Sequence, residues 1–122
     1  MPLPKQKAYT IEDIYALPDG ERAELIDGQI YYMAPPTRTH QRIVTELTTI
    51  INEYIKKKDG ECEVNVSPFA VFLDSLKDED KNYVEPDISV ICDKDKLDDK
   101  GCHGSPDWVI EVVSPSSRKL DY

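Results

Sequence analysis

The segment from Trp108 to Val113 constrains the fold more than any other, because five of its six residues are apolar. A nearly continuous apolar run of this kind predicts a β-strand that is buried on both faces of a layered domain. Its one carboxylate, Glu111, is costly to bury unless it is paired or binds a cation. The segment therefore predicts a covered sheet and a charged group that needs compensation.

Two short elements are predicted near the N-terminus. The sequence Thr10-Ile11-Glu12-Asp13 resembles a capping box, which predicts a short helix that runs through Leu17. The Asp27-Gly28 pair lies between two β-compatible runs within residues 21–33, and both central positions of this turn tolerate positive φ. The pattern predicts a β-hairpin at this point.

A long amphipathic helix is predicted in the middle of the chain. Apolar residues recur at three- and four-residue steps from His40 to Ile55, with Thr37 or Thr39 as the N-cap. Three lysines at 56–58 suit the negative end of a helix, and Gly60 suits the stop. We expect this helix to pack on a sheet.

Further strands are predicted in the second half of the chain. They are expected within Cys62–Asn65, Ser67–Leu73 and Val84–Cys92, and the last of these resembles a central strand. The polar segments Asp74–Asn82 and Asp93–Ser105 are expected to be solvated connections. Together the elements predict an α/β (mixed α+β) fold, a mixed sheet flanked by helices.

The chain has 122 residues and a mass of 13.9 kDa, so we expect a single domain over residues 1–122. Ser116 or Ser117 could cap a helix that has barely begun at Tyr122. We therefore expect the domain to be incomplete at its C-terminus, with this helix truncated.

Charge and cysteine content narrow the possible functions. The chain carries 24 Asp and Glu against 15 Lys and Arg, a net charge of -9, so a generic basic surface for nucleic acid is absent. No apolar stretch approaches a membrane span or a signal peptide, which predicts a cytoplasmic protein with no membrane contact. Three cysteines without an export signal predict reduced thiols, and Cys102-His103 lacks the spacing of a zinc finger.

A second carboxylate lies in an unusual position. Asp87 follows Pro86 and opens an apolar strand, where the missing amide of the proline is harmless. If the strands that begin near Asp87 and Asp107 are neighbours, Asp87 and Glu111 meet at one rim and form a site for Mg²⁺ or Mn²⁺. The structural alternatives are that Asp87 is a strand-edge residue and that Glu111 pairs with a basic side chain.

The order of these motifs is similar to that of a known family. Pro86-Asp87 followed by Glu111-Val112-Val113 resembles the PD-(D/E)XK nuclease superfamily. Over nearly the whole chain, four segments resemble, in the same order, the bacterial branch of that superfamily described as putative restriction endonucleases. They are Glu24 to Gly28, Pro35-Pro36 with His40, Pro86 to Val90, and Ser105 to Ser116.

The resemblance implies a restriction-endonuclease-like fold and metal-dependent hydrolysis of phosphodiester bonds. It implies that Asp87 and Glu111 are ligands of Mg²⁺ or Mn²⁺ and that Glu24 is an outer ligand, with the Val112 carbonyl as a further oxygen. The lysine expected two residues after Glu111 is replaced by Val113. In this branch the lysine lies in the following helix, which makes Lys119 the candidate, in preference to Arg118.

Each of these roles has a structural alternative. Lys119 could be a solvated helix residue, Glu24 a surface charge on the hairpin, and His40 a neutral core histidine. The leading hypothesis is an Mg²⁺- or Mn²⁺-dependent endonuclease that acts on DNA. A homodimer is one expected assembly, because two active sites would suit double-strand cleavage. The alternatives are a catalytically inactive nuclease-like binding or assembly module, favoured by Val113, and a degenerate fragment.

Overall fold

The computed structural model describes residues 7–75 and 81–113, and the statements below concern those residues. They contain two α-helices and nine β-strands. The elements are α1 (Ile11–Tyr15), β1 (Ala23–Ile26), β2 (Gln29–Tyr32), α2 (Arg38–Lys57), β3 (Glu63–Val66), β4 (Val71–Phe72), β5 (Tyr83–Val84), β6 (Ile88–Ile91), β7 (Leu97–Asp98), β8 (Gly101–His103) and β9 (Trp108–Ile110). This mixed α/β content confirms the predicted fold class.

The strands form two sheets. The larger sheet has the order β2-β1-β5-β4-β8-β7, and all its pairs are antiparallel except the parallel pair β4 and β8. The smaller sheet has the order β3-β6-β9 and is antiparallel throughout. Ile91 of β6 packs against Val71 and Cys102 of the larger sheet, and all three are fully buried. This cluster joins the two sheets.

The predicted N-terminal elements are confirmed. Asp13 accepts a hydrogen bond from the Thr10 amide at 2.9 Å, which closes the start of α1. Strands β1 and β2 pair around Asp27 and Gly28, whose φ values of 50° and 76° give the expected turn. Helix α1 covers one face of this hairpin through the buried Ile14.

The long helix is also confirmed, with Thr37 as its N-cap. Helix α2 packs on β3, but only Val44 of its apolar stripe is buried among the described residues. Ile50 and Tyr54 remain 61% and 63% exposed. The prediction that α2 packs on a sheet is therefore correct, although much of its apolar stripe stays exposed among the described residues.

The predicted strand Val84–Cys92 is two strands in different sheets. Tyr83–Val84 belongs to the larger sheet and Ile88–Ile91 to the smaller one. The chain crosses between them at residues 85–87, where Pro86 cannot donate a ladder hydrogen bond. β6 is central to its sheet, as expected, and all four of its residues are buried.

The prediction that Asp93–Ser105 is only a solvated connection is wrong in part. Strands β7 and β8 form a hairpin there, and β8 pairs with β4. Gly101 makes this possible, because a Cβ atom at its position would lie 2.1 Å from the Ala70 carbonyl oxygen, and its φ is +143°. The polar composition concealed a strand whose central residue, Cys102, is completely buried.

The prediction that Trp108–Val113 is buried on both faces is also wrong. Strand β9 pairs with β6 on one side, and within the described residues its other edge pairs with no strand. Trp108 and Val109, whose side chains point to opposite faces of the strand, are 54% and 47% exposed, so neither face is fully covered. An apolar run cannot by itself distinguish a central strand from an edge strand.

The cysteine prediction is wrong for two of the three residues. Cys62 precedes β3 and Cys92 follows β6, so the antiparallel register places them opposite each other with their Cα atoms 3.9 Å apart. The structure joins them as a disulfide. Cys102 is a free thiol, and burial raises its pKa. Sequence separation alone could not reveal the strand pairing.

Two further predictions concern membrane spans and the C-terminal helix. Neither helix in the described part of the protein is long and apolar enough to cross a membrane. The helix start predicted at Ser116 or Ser117 lies outside the described residues, as does Lys119.

Candidate functional site

Asp87 and Glu111 come together where two strands end. Asp87 immediately precedes β6 and Glu111 immediately follows β9, and Ile88 pairs with Ile110 in the antiparallel register. The two acids therefore occupy facing positions at the same end of the smaller sheet. The convergence that the sequence suggested is present in the structure.

Asp87 is held in a fixed orientation by two groups. His40 Nε2 lies 3.1 Å from Asp87 Oδ2, and the Val112 amide donates to the same oxygen at 2.7 Å. His40 lies in the first turn of α2, where its own amide donates to Thr37 Oγ1 at 3.1 Å. The helix N-terminus, positioned by its cap, thus orients a carboxylate at the edge of the sheet.

The carboxyl of Glu111 has a shifted pKa. Burial of the carboxyl and the neighbouring charges of Asp87 and Glu24 raise the pKa of Glu111 from 4.5 to about 7. Part of Glu111 stays exposed to solvent, and the two nearby negative charges disfavour its ionised form. Glu111 therefore changes between its neutral and ionised forms near neutral pH.

Glu24 approaches the same site from the other sheet. It lies in β1, and its Oε2 accepts a hydrogen bond from the Glu85 amide at 2.8 Å. Glu24 and Glu111 line one cavity of about 390 Å³. The three acids predicted from the sequence are therefore neighbours, two from the smaller sheet and one from the larger.

Sequence reasoning missed the role of Arg22 and Glu85. Arg22 Nη2 donates to Glu85 Oε2 and to Ser67 Oγ, both at 2.6 Å. Tyr83 also donates its hydroxyl to Glu85 at 3.2 Å. Arg22 thus neutralises the charge of Glu85 beside the site. The ion pair of Arg22 is made with Glu85 and not with Asp87, Glu111 or Glu24. The acidic pair in Glu85-Pro86-Asp87 was the only signal in the sequence.

The lysine predicted for the site is not placed by the structure. Val113 stands two residues after Glu111 and is 56% exposed. Lys119 lies outside the described residues. The role of Lys119 stays a prediction.

The site has the donor chemistry of a hard divalent cation. Asp87, Glu111 and Glu24 supply carboxylate oxygens, which suit Mg²⁺ and Mn²⁺. Across residues 7–75 and 81–113, no three His, Cys, Asp or Glu side chains are arranged as a ready set of metal ligands. Mg²⁺ usually binds through one or two carboxylates together with water and substrate phosphate. The residues therefore fit such an ion in chemistry, with Asp87 and Glu111 as the protein's contribution.

Comparison with known proteins gives three results. The family model described as "Uma2: Putative restriction endonuclease" matches residues 11–122. An uncharacterised protein of Synechocystis sp. is 32% identical over 101 residues, which are 83% of this chain and 50% of that protein. The crystal structure of "a putative nuclease belonging to DUF820" from Anabaena variabilis has a TM-score of 0.67 and 23% identity, covering 92% of this chain and 63% of that one.

These matches establish the family and the fold. The chain belongs to the Uma2 family, and its fold is that of the restriction-endonuclease-like superfamily. The predicted resemblance is confirmed. The chain spans half the length of the curated relative that it matches.

Proposed function

We propose that this member of the Uma2 family is a divalent-metal-dependent endonuclease that hydrolyses phosphodiester bonds in DNA. The observation that carries the proposal is the meeting of Asp87 and Glu111 at facing strand ends, with Glu24 close enough to raise the pKa of Glu111. Carboxylates this close favour a proton or a cation between them. Membership of a family described as putative restriction endonucleases supports nuclease chemistry. The metal ion and the DNA substrate are additions made by this proposal.

Asp87 and Glu111 would hold an Mg²⁺ or Mn²⁺ ion, with Glu24 as an outer ligand and the Val112 carbonyl as a further oxygen. A bound ion of this kind polarises the phosphate and lowers the pKa of an attacking water. Phosphate is itself an anion, so three acids without a cation would repel it. The proposal thus accounts for acidic side chains at a site for an anionic substrate.

The protein's own groups have two tasks in this proposal. His40 and the Val112 amide fix Asp87 Oδ2, which restricts how the other oxygen of Asp87 can be presented. Glu111, with a pKa of about 7, can give up its proton at neutral pH when a cation arrives. Lys119 would stabilise the charge that develops on the phosphate.

A plasmid-nicking assay with Mg²⁺ or Mn²⁺ tests the proposal. Removing an outer partner of a metal ligand typically lowers metal affinity or activity 10- to 100-fold. Because Asp87 and Glu111 are proposed as the ligands themselves, Asp87→Asn and Glu111→Gln should each lower the nicking rate by about 100-fold or more. Both substitutions keep the size of the side chain. The measurement is the rate of conversion of supercoiled to nicked plasmid.

Asp98→Asn is the matched control, because Asp98 also contacts a histidine, His103, but stands apart from the three acids of the site. It should retain the wild-type nicking rate. Undiminished nicking in both Asp87→Asn and Glu111→Gln would refute the proposal.

Val113 favours a second candidate function. The residue at the usual lysine position is an exposed valine, which suits a catalytically inactive nuclease-like module that binds or assembles. Calorimetric titration with Mn²⁺ separates the two, since an inactive module should take up no ion through Asp87 and Glu111. The expected homodimer stays a prediction that sedimentation can test.

A further inference from the structure

The cavity shared by Glu24 and Glu111 lies between the two sheets. Val71 and Val84 come from the larger sheet, and Val109 comes from β9 of the smaller one. The cavity of about 390 Å³ falls within the range of roughly 300–1,000 Å³ that is typical of small-molecule sites. It therefore has room for a flat ring system beside the acids.

The walls of this cavity are mainly apolar. Of the nine described residues that line it, the charged ones are Glu24 and Glu111, and Ser105 is the remaining polar one. Valine, leucine and proline side chains form the rest. A phosphate or a sugar would lose hydration there without gaining hydrogen bonds. The apolar faces of a nucleobase suit such walls.

The strand registers explain why acids and apolar walls share one space. Glu24 lies beside Val84 in the larger sheet, because Leu25 pairs with Tyr83, and Val84 pairs with Val71. Side chains opposite each other lie on one face. In β9, Val109 and Glu111 are two residues apart and also share a face. Each sheet thus contributes an acid next to a valine.

An exposed aromatic ring extends this surface. Tyr31 is directly opposite Glu24 in the β1–β2 pair, so the two side chains are on the same face. Tyr31 is 54% exposed. An exposed aromatic next to a groove is a stacking platform for nucleobases, and stacking is tolerant of sequence.

We infer that this cavity takes the base of an unpaired nucleotide, which makes the substrate single-stranded nucleic acid. The inference rests on the proposed function, because the acids at the cavity would act on the adjoining phosphodiester. In a duplex both faces of each base are stacked, and a base enters a pocket only after it has been flipped out.

Fluorescence anisotropy with the full chain tests the inference. The probe is a short labelled oligodeoxynucleotide, free or annealed to its complement, with Ca²⁺ in place of Mg²⁺. We expect the single strand to bind at least about ten-fold more tightly than the duplex, in line with the energy of stacking one base. A strand of the same length made of abasic nucleotides should lose this advantage.

Two substitutions fill the cavity from exposed positions, where folding tolerates a larger side chain. Val109→Trp and Ser105→Trp should each weaken single-strand binding about ten-fold and leave duplex binding unchanged. Ile50→Trp is the control, since Ile50 is 61% exposed on α2 and does not line the cavity. It should bind as the wild type does.

Equal binding of single strand and duplex, or full binding by both cavity-filling variants, would overturn the inference. A change in sedimentation of the free Val109→Trp protein, with unaltered oligonucleotide binding, would also overturn it, because the cavity would then hold a protein segment. The binding comparison decides the inference whether or not the protein cuts DNA. Cleavage of a labelled single-stranded oligodeoxynucleotide with Mg²⁺, and its loss in Asp87→Asn and Glu111→Gln, decides the proposed function separately.

Discussion

Two histidine–aspartate contacts in this protein have similar distances and differ in their surroundings. His40 and Asp87 lie 3.1 Å apart with side chains 12% and 15% exposed, whereas His103 and Asp98 lie 2.9 Å apart with side chains 31% and 53% exposed. The first contact joins a helix to a strand end, and the second joins two strands of one hairpin.

The charge around each pair shows why only one resembles a reaction site. His103 lowers the pKa of Asp98, and the Lys100 and Gly101 amides also donate to that aspartate. The His103 ring stacks on Phe72 at 4.8 Å. Asp98 is thus compensated within its turn, while Asp87 lies beside a further carboxyl, that of Glu111. An excess of negative charge distinguishes a candidate cation site from a structural pair.

The largest expected effect is on metal uptake. Binding of Mn²⁺ should release protons and tighten as pH rises towards 7, because Glu111 must ionise to act as a ligand. Calorimetry in buffers of different ionisation enthalpy measures the proton release. Glu111→Gln should remove the release and lower the affinity by about 100-fold or more, whereas Asp98→Asn should change neither. Equal proton release by Glu111→Gln and wild type would contradict this assignment.

The next effect concerns the two histidines. His40→Ala should lower metal affinity and nicking by roughly 10- to 100-fold, because Asp87 would lose a partner that orients it. His40→Gln keeps a polar group at that place and should recover part of the loss. The matched change His103→Ala should lower Tm, because it removes the contacts with Phe72 and Asp98, and it should leave nicking unaltered. A loss of nicking in His103→Ala equal to that in His40→Ala would remove the distinction between the pairs.

A smaller effect is expected on stability. The folded-state pKa of Glu111 is raised to about 7 from 4.5, so folding favours its protonated form. The stability that this group contributes is complete below about pH 4.5 and is lost as pH rises through about 7. Glu111→Gln should therefore raise Tm at pH 8 relative to wild type, with little change at pH 4. An unchanged difference in Tm between the two pH values would show that Glu111 is not perturbed.

The smallest effect belongs to Asp98, and its sign is opposite. Because the folded-state pKa of Asp98 is lowered below 3.8, its contribution to stability is present above pH 3.8 and is lost as pH falls further. The side chain is exposed, so solvent weakens the contribution. Asp98→Asn should lower Tm slightly at pH 7 and not at pH 2, as measured by thermal melts. A raised Tm at pH 7 would reverse the comparison.

Local patterns predicted the local structure well. The turn at Asp27-Gly28 and the cap at Thr37 depend on neighbouring residues only, and both are present. The paired acids were also predictable, since Asp87 and Glu111 each break an apolar strand at one end. Their meeting required a neighbouring strand pair, which the sequence could suggest and not determine.

Long-range pairing explains the failures. The exposure of Trp108 depends on what packs against its face of the sheet, and the Cys62–Cys92 disulfide depends on the register of β3 with β6. Gly101 looked like a loop glycine, yet it lets β8 pass close to the Ala70 backbone. Each of these facts involves two distant segments, and neither segment carries the information alone.

The crossing at Glu85-Pro86-Asp87 has a consequence for engineering. Asp87 and Glu111 belong to one sheet and Glu24 to the other, and these three crossing residues connect the sheets directly. The spacing between Glu24 and the other two acids is therefore a property of how the two layers are stacked. If the proposed metal site is correct, substitutions in the buried contact between layers, such as Ile91 against Val71, would adjust its ion preference without altering any acid. Transplanting the three acids onto a single-layer scaffold would not reproduce their arrangement.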